Sequence, residues 1–142
     1  PSSKVEMPVE DDATLTRILR ETKTIAVVGA SAKPWRDSNS VAGFLLLRGY
    51  DVIPVNPNYE EVLGRKCYPA LQFVPGRVDL VDVFRNPEGV EEIVESAIEI
   101  KAKAIWLQLG VVHPRAVQKA EQAGLTVVID RCIAVDYRRL MK

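Results

Sequence analysis

Residues 24–29, with the sequence Thr-Ile-Ala-Val-Val-Gly, decide the fold. Five apolar or β-branched residues in a row, ended by a glycine, are typical of a short strand that is buried on both faces. Downstream, Val41, Phe44 and Leu45 repeat at helical spacing, and Gly49 follows them as a helix terminator. A buried strand that leads through a loop into a helix indicates an α/β fold with a parallel sheet.

Four more short apolar runs follow along the chain. Segments with helical spacing separate most of them, but residues 56–78, between the second and third predicted strands, have no clear period. These predicted strands are residues 51–55, 79–84, 104–107 and 126–129. Nearly all-apolar strands that alternate with helices form a parallel sheet covered on both faces. We therefore predict a Rossmann-like, doubly wound α/β sheet of about five strands in the order 3-2-1-4-5, with helices on both faces. This order places a ligand crevice at the carboxyl ends of strands one and four.

Local signals mark the ends of several elements. The acidic pair at residues 11–12 precedes apolar residues at helical spacing, which predicts a helix before the first strand. Pro54 removes a hydrogen-bond donor, so we expect an edge strand or a strand end there. Asn86 and Pro87 predict a helix that is capped by the Asn86 side chain, and His113 precedes the next helix in the same way.

The composition bounds the class of protein. The 142 residues match one domain, so we expect a single domain over residues 1–142, with residues 1–10 as a candidate loose arm. Nineteen basic and nineteen acidic residues cancel, which argues against a general nucleic-acid or membrane-surface binder. No run approaches the ~20 apolar residues of a membrane span, and no signal-peptide pattern opens the chain, so we expect a cytoplasmic protein. Two cysteines and one histidine are too few for the usual zinc site, so we expect no metal.

The loop after the first strand carries the strongest functional signal. Small residues let the backbone approach a ligand closely, and the N–H groups at the start of the next helix, expected near Val41, favour an anion. Two cations and several hydroxyls add to this, so the loop predicts a phosphate site. In the alternative, Gly29 only makes the turn and both cations are solvated. The candidate residues are Gly29, Ala30, Ser31, Lys33, Arg36 and Ser38.

This loop departs from the familiar nucleotide fingerprints. It matches neither G-x-G-x-x-G nor the G-x-x-x-x-G-K-[ST] phosphate loop. The second strand ends in Asn56 and Pro57, where an NAD site would carry an acidic residue for the ribose hydroxyls. The pattern therefore favours a nucleotide other than NAD.

The loops after the third and fourth strands face the same predicted crevice. Phe84 could flank an apolar part of a ligand, and Arg85 could contact a phosphate or carboxylate. The alternative for residues 84–87 is a plain strand end with a capped helix. Gln108 offers an amide, and Gly110 lets the chain turn close to a ligand.

Cys132 follows the fifth strand and is a candidate reactive thiol, because Arg131 beside it could favour the thiolate. The alternative is a buried, inert cysteine with Asp130 and Arg131 paired locally. His113 is best explained as part of a helix start. Since no pair of carboxylates has a spacing that suggests acid–base chemistry, we assign no catalytic residue.

A series of short motifs along residues 15–140 has an order and a spacing that together resemble those of a known protein family. The motifs are Val28-Gly29-Ala30-Ser31 with Pro34, Arg36 and Ser38, then Gly49-Tyr50, Pro54-Val55-Asn56-Pro57, Glu61-Val62-Leu63-Gly64, Tyr68-Pro69, Val81-Asp82-Val83-Phe84-Arg85, Trp106-Leu107-Gln108-Leu109-Gly110 and Asp130-Arg131-Cys132. In this the chain resembles the stand-alone CoA-binding protein family. Its members are single Rossmann-like domains similar to the CoA-binding domain of the succinyl-CoA ligase alpha subunit.

The resemblance implies that coenzyme A, or an acyl-CoA, is held across the carboxyl edge of the sheet. Residues 29–38 would hold the pyrophosphate, Asn56 and Pro57 would lie near the adenosine, and residues 84–87 and 108–110 would border the pantetheine arm. It also accounts for the missing acid after the second strand, because a carboxylate there would repel the 3′-phosphate of CoA. The chain leaves no room for the second domain of the ligase, so we expect a binder rather than a catalyst.

Three other functions stay open. An NAD(P)-dependent oxidoreductase would use Lys33 or Arg36 on a 2′-phosphate. A redox partner would form a mixed disulfide between Cys132 and the CoA thiol. An interaction module would change a partner surface when CoA binds. A homodimer is also a candidate state, because small domains of this kind often form one.

Overall fold

The computed structural model describes residues 8–141. Most of the candidate arm, residues 1–7, lies outside the described residues. The remainder of it, residues 8–10, forms no helix or strand. The Val9 backbone N–H donates to the Val127 carbonyl oxygen at 2.8 Å, and the Val9 side chain packs against the core.

Strands and helices alternate along the chain except between the second and third predicted strands, which are joined by a two-stranded hairpin and a 3₁₀ turn instead of a helix. The strands are β1 (Thr24–Val28), β2 (Asp51–Val55), β3 (Glu61–Val62), β4 (Arg65–Lys66), β5 (Leu80–Val83), β6 (Ala104–Leu107) and β7 (Thr126–Val128). The helices are α1 (Asp12–Glu21), α2 (Asp37–Leu47), α3 (Val90–Glu99), α4 (Pro114–Gln122) and α5 (Ile133–Leu140). Two short 3₁₀ turns, Leu71–Phe73 and Pro87–Gly89, complete the elements.

The five predicted strands form one parallel sheet, which confirms the fold class, but the predicted order is wrong. The observed order is β2-β1-β5-β6-β7, which is 2-1-3-4-5 in the count of predicted strands. The third predicted strand, β5, therefore pairs with β1 instead of lying beyond β2. The outer edge of β2 is occupied by its own connector, because the Tyr68 N–H donates to the Pro54 carbonyl oxygen at 3.0 Å. Pro54 does lie in an edge strand, as predicted.

The corrected order moves the crevice. In a doubly wound sheet the ligand crevice opens where the direction of strand addition reverses. Here the chain adds β2 on one side of β1 and then β5 on the other side. The crevice therefore lies at the carboxyl ends of β1 and β5, not of strands one and four.

Each face of the sheet packs against its own set of helices. One core contains side chains of α3 and α4, and includes Val81, Val83 and Ile105 from the sheet. The other contains side chains of α1, α2 and α5, and includes Ile25, Val27 and fully buried Trp106. The Trp106 indole N–H donates to the Arg131 carbonyl oxygen at 2.9 Å, so the largest core side chain leaves no donor unpaired.

Several element ends differ from the sequence interpretation. Helix α2 begins at Asp37 rather than near Val41, so the residues just before Val41 form its first turn. Helix α5 was not predicted. The connector at 56–78, which has no clear period, contains the antiparallel β3–β4 hairpin. Helix α4 begins after His113 as predicted, and the His113 Nδ1 atom accepts from the Ala116 backbone N–H at 3.1 Å. Asn86 precedes a 3₁₀ turn, and its side chain makes no capping hydrogen bond.

Gly29 ends β1 in a position that only glycine fits. Its φ is +86°, and a Cβ atom built there would lie 2.0 Å from the Phe84 carbonyl oxygen. The ends of β1 and β5 thus approach each other too closely for any side chain at this point. Gly29 is therefore required for the packing of β1 against β5, whereas the sequence analysis explained the small residue by the close approach of a ligand.

Asp82 is a carboxylic acid in the middle of the sheet. It is fully buried on β5, opposite Val27 of β1 and Trp106 of β6. Its Oδ1 atom accepts a hydrogen bond from the Gln108 side-chain amide, and its Oδ2 atom has no hydrogen-bond partner among the described residues. Burial raises the pKa of Asp82 to about 7, and the Gln108 hydrogen bond opposes this shift only in part.

We expect Gly29→Ala to lower the free energy of unfolding by about 2 kcal/mol or more, because the new methyl group overlaps the Phe84 carbonyl. The matched control is Gly64→Ala, where φ is +74° but nothing lies within 4 Å of the new Cβ. That substitution should cost only about 1 kcal/mol, from backbone strain alone. Urea unfolding of both variants measures the difference, and equal losses would contradict the packing argument.

We also expect Asp82 to make folding stability depend on pH. Because the pKa of Asp82 is higher in the folded chain than in the unfolded chain, its contribution is complete below about pH 4 and is lost as the pH rises through about 7. The isosteric Asp82→Asn variant should lose this dependence. From about pH 5 to about pH 8 the Tm of the parent should therefore fall by several degrees relative to the Tm of the variant. Thermal melts across this range test it; a constant gap would refute the shift.

Candidate functional site

A cleft of about 720 Å³ opens at the carboxyl ends of β1, β5 and β6. Its position matches the switch point of the corrected strand order. The loops that follow these strands, together with the loop after β2, form its walls. Most of the predicted binding residues line it, namely Gly29, Ser31, Lys33, Arg36, Ser38, Asn56, Phe84, Arg85, Asn86 and Gln108.

The other predicted site residues do not line this cleft. Ala30 is fully buried, and its carbonyl oxygen accepts from the Asn56 amide at 2.7 Å. Pro57 lines a smaller neighbouring cavity of about 180 Å³. Pro87 begins a 3₁₀ turn beside the cleft. Gly110 makes the turn after β6, where its N–H donates to the Asp130 carboxylate at 2.9 Å.

Six residues that the sequence analysis did not single out also line the cleft. They are Trp35, Asp37, Asn58, Tyr59, Leu109 and Val111. Trp35 and Asp37 belong to the loop already chosen, and Leu109 lies between two predicted residues. All three fall inside the ranges 29–38 and 108–110 that the family resemblance implies for the site, although no separate role was given to them. Tyr59 gave no local signal, because it reaches the cleft only through the fold of the 56–78 connector.

Hydrogen bonds hold the β1–α2 loop in place from both sides. The Ser31 hydroxyl oxygen accepts from the Lys33 backbone N–H at 3.1 Å, and the Asn39 side chain donates to the Ser31 carbonyl oxygen at 2.8 Å. Asn56 donates to Ala30 and accepts from the Asn58 backbone N–H at 2.9 Å. Asn56 therefore fixes two loops against each other, and its polar atoms are already engaged in that task.

One end of the cleft attracts anions. Lys33, Arg36 and Arg85 line it and are exposed, and none of the three forms an ion pair within residues 8–141. Helix α2 begins at this end, and the first N–H groups of a helix have no partner inside the helix. Asp37 is the only carboxylate among the residues that line the cleft. The balance of charge favours a ligand with several negative groups.

The other end of the cleft is neutral and largely apolar. It is formed by Leu109 and Val111 after β6, while Phe84 lies between this end and the β1–α2 loop, next to Gly29. Gln108, directly after β6, adds an uncharged polar side chain to this end. It is only 4% exposed, and its Nε2 atom donates a hydrogen bond to Asp82. This end can accommodate an uncharged chain of carbon atoms with hydrogen-bonding groups along it.

The region of Cys132 is separate from the cleft. Cys132 precedes α5, is half-buried and is not among the residues that line the cleft. Arg131 is in bidentate contact with Asp136, with Nε to Oδ2 at 2.6 Å and Nη2 to Oδ1 at 2.9 Å. The predicted local pair of Asp130 and Arg131 is therefore wrong. Whether Cys132 is reactive stays a prediction.

Within residues 8–141 no group of three or more His, Cys, Asp or Glu side chains is arranged to hold a metal ion. Within the same range no helix combines the length and apolar character that crossing a membrane requires.

Comparison with known proteins places the chain in a family. The family model of the CoA binding domain matches residues 23–138. An uncharacterised protein, YneT, of Bacillus subtilis (strain 168) is 40% identical over 123 residues, which cover 87% of this chain and 91% of that protein. A solved structure of a hypothetical protein from Pyrococcus horikoshii OT3 superimposes with a TM-score of 0.92 at 44% identity, covering 99% of this chain and 100% of that one.

A larger enzyme shares the same region. Acetate–CoA ligase (ADP-forming) I of Archaeoglobus fulgidus is 32% identical over 123 residues, which cover 80% of this chain but only 18% of that enzyme. The match of the family model across nearly the whole described chain confirms the resemblance carried by the sequence motifs. This chain belongs to the CoA-binding domain family.

Proposed function

We propose that this protein binds coenzyme A, or an acyl-CoA, in the cleft and does not itself catalyse a reaction on it. The observation that carries the proposal is that the loops after β1 and β5 bring cations to the cleft, whereas the loop after β6, farther along the sheet edge, brings only uncharged side chains. CoA has the same division, since a triply phosphorylated nucleotide is joined to an uncharged pantetheine arm. The family of the chain supports the same ligand.

The cationic end suits the phosphates of CoA. Arg36, at the start of α2, and Arg85, after β5, lie on loops that follow neighbouring strands and both line the cleft, so both are available to a diphosphate. The end of β2 carries Asn56 and Asn58 instead of an acidic residue. An uncharged end at this position tolerates a 3′-phosphate on the ribose, which a carboxylate would repel.

The lining of the cleft favours binding over catalysis. No cysteine or histidine occurs among the residues that line it within the described chain. Ser31 is near the Tyr59 hydroxyl at 3.5 Å and accepts from the Lys33 N–H, so its surroundings provide no general base. An NAD-dependent oxidoreductase lacks support here, because neither the glycine fingerprint nor an acidic residue after β2 is present, and an NADP-dependent one lacks support because the glycine fingerprint is missing.

We expect the ligand-free protein to bind CoA more tightly than NAD or NADPH. Isothermal titration measures the three affinities. Trp35 gives a second signal, because it is 75% exposed at the cleft wall while Trp106 is fully buried. CoA should change the tryptophan emission of the parent but not that of Trp35→Phe. Absence of heat with CoA, or tighter binding of NADPH, would overturn the proposal.

Removing the unpaired cations should weaken CoA binding. Arg36→Gln and Arg85→Gln should each reduce the affinity by about tenfold, because charge-assisted hydrogen bonds to phosphate contribute about 1.5–3 kcal/mol. The matched control is Arg77→Gln, an exposed arginine outside the cleft lining, which should leave the affinity unchanged. Titrations at two salt concentrations complete the test. Equal affinity in all three variants would show that the phosphates lie elsewhere.

A further inference from the structure

The Asp82–Gln108 pair is a costly feature that the fold does not need. Asp82 is surrounded by the apolar core that contains Val27, Leu80 and Trp106, where an apolar side chain would pack without losing hydration. A buried carboxyl group with one unpartnered oxygen opposes folding. A feature that opposes folding and lies directly behind a binding cleft calls for a functional explanation.

The position of the pair provides that explanation. Gln108 is the only described hydrogen-bond partner of Asp82, and Gln108 forms part of the cleft wall. A glutamine amide can present either its NH₂ group or its oxygen to a ligand, and the two choices differ by a half-turn of the amide. Because the Asp82 oxygen accepts from Nε2, the amide is held in one orientation, and its Oε1 atom is left for the cleft.

From this geometry we propose that Asp82 is a positioning residue that holds Gln108 with its amide oxygen available to an N–H donor of the ligand. The inference rests on the proposed function and makes it more specific. Gln108 follows β6, two strands from β1, so it lies about 10 Å from the phosphate-binding loop along the sheet edge. At that end of the cleft the donors that CoA offers are the two secondary amides of its pantetheine arm.

The consequence is selectivity for the arm over the nucleotide alone. Arg36 and Arg85 attract any polyphosphate nucleotide. The oriented Gln108 Oε1 atom, in contrast, adds affinity only for a ligand that places an N–H group next to it. An orientation fixed before binding also removes the entropy cost of ordering the amide when the ligand arrives. Asp82 itself touches no ligand in this arrangement.

The test compares two probes, CoA and adenosine 3′-phosphate 5′-diphosphate, which is CoA without the pantetheine arm. Asp82→Ala should weaken CoA about fivefold to tenfold and leave the affinity for the shorter nucleotide within about twofold. Asp82→Asn keeps an acceptor oxygen of the same size, so it should restore CoA affinity to within about threefold of the parent. Isothermal titration gives all of these values.

A double-mutant cycle separates positioning from a general structural role. Gln108→Ala should weaken CoA at least as much as Asp82→Ala, and adding Asp82→Ala to it should cause no further loss. Thermal melting checks that each variant is folded, and Asp82→Leu replaces the alanine variant if its cavity prevents folding. Equal losses for both probes, or additive losses in the double variant, would overturn this inference alone. Failure of the parent to bind CoA would overturn the proposed function together with it.

Discussion

The close contact between the ends of β1 and β5 is the constraint on which the rest of the molecule depends. Because Gly29 has no side chain, the Phe84 carbonyl oxygen can approach the end of β1 within the space that a Cβ atom would fill. The same two strands are where the order of the sheet reverses. The contact therefore fixes the separation of two of the loops that form the cleft, those after β1 and β5.

Much of the fold could be predicted from residue patterns, because the strands are short apolar runs whose identity does not depend on distant contacts. The five strands, the parallel sheet and the helix start at His113 were all predicted on this basis. The order of strands could not be predicted in the same way. Both 3-2-1-4-5 and 2-1-3-4-5 satisfy the same alternation of strand and helix, and the choice depends on what covers the edge of β2. Here it is the connector at Tyr68, in a segment without a repeating pattern.

The candidate site was predictable to the extent that it consists of residues directly after strands. Ser31, Arg85 and Gln108 follow this rule, and the structure brings them to one cleft. The rule failed to distinguish residues that line the cleft from residues that support it. Asn56 lines the cleft, yet both polar atoms of its side chain form hydrogen bonds with the neighbouring loops. Tyr59 and Asp82 were missed because their roles depend on packing between distant segments, which no local pattern records.

The two ends of the cleft are organised by different physical means, and the difference follows from what each end has to recognise. At the cationic end the loop is held by neutral hydrogen bonds from Asn39 and Asn56, which leave every positive charge free for solvent or an anion. Charges act over several ångströms, so their side chains need no exact orientation. At the neutral end only directional hydrogen bonds can discriminate, and a directional group has to be fixed in advance. A buried carboxyl group behind Gln108 supplies that rigidity where a flexible surface contact could not.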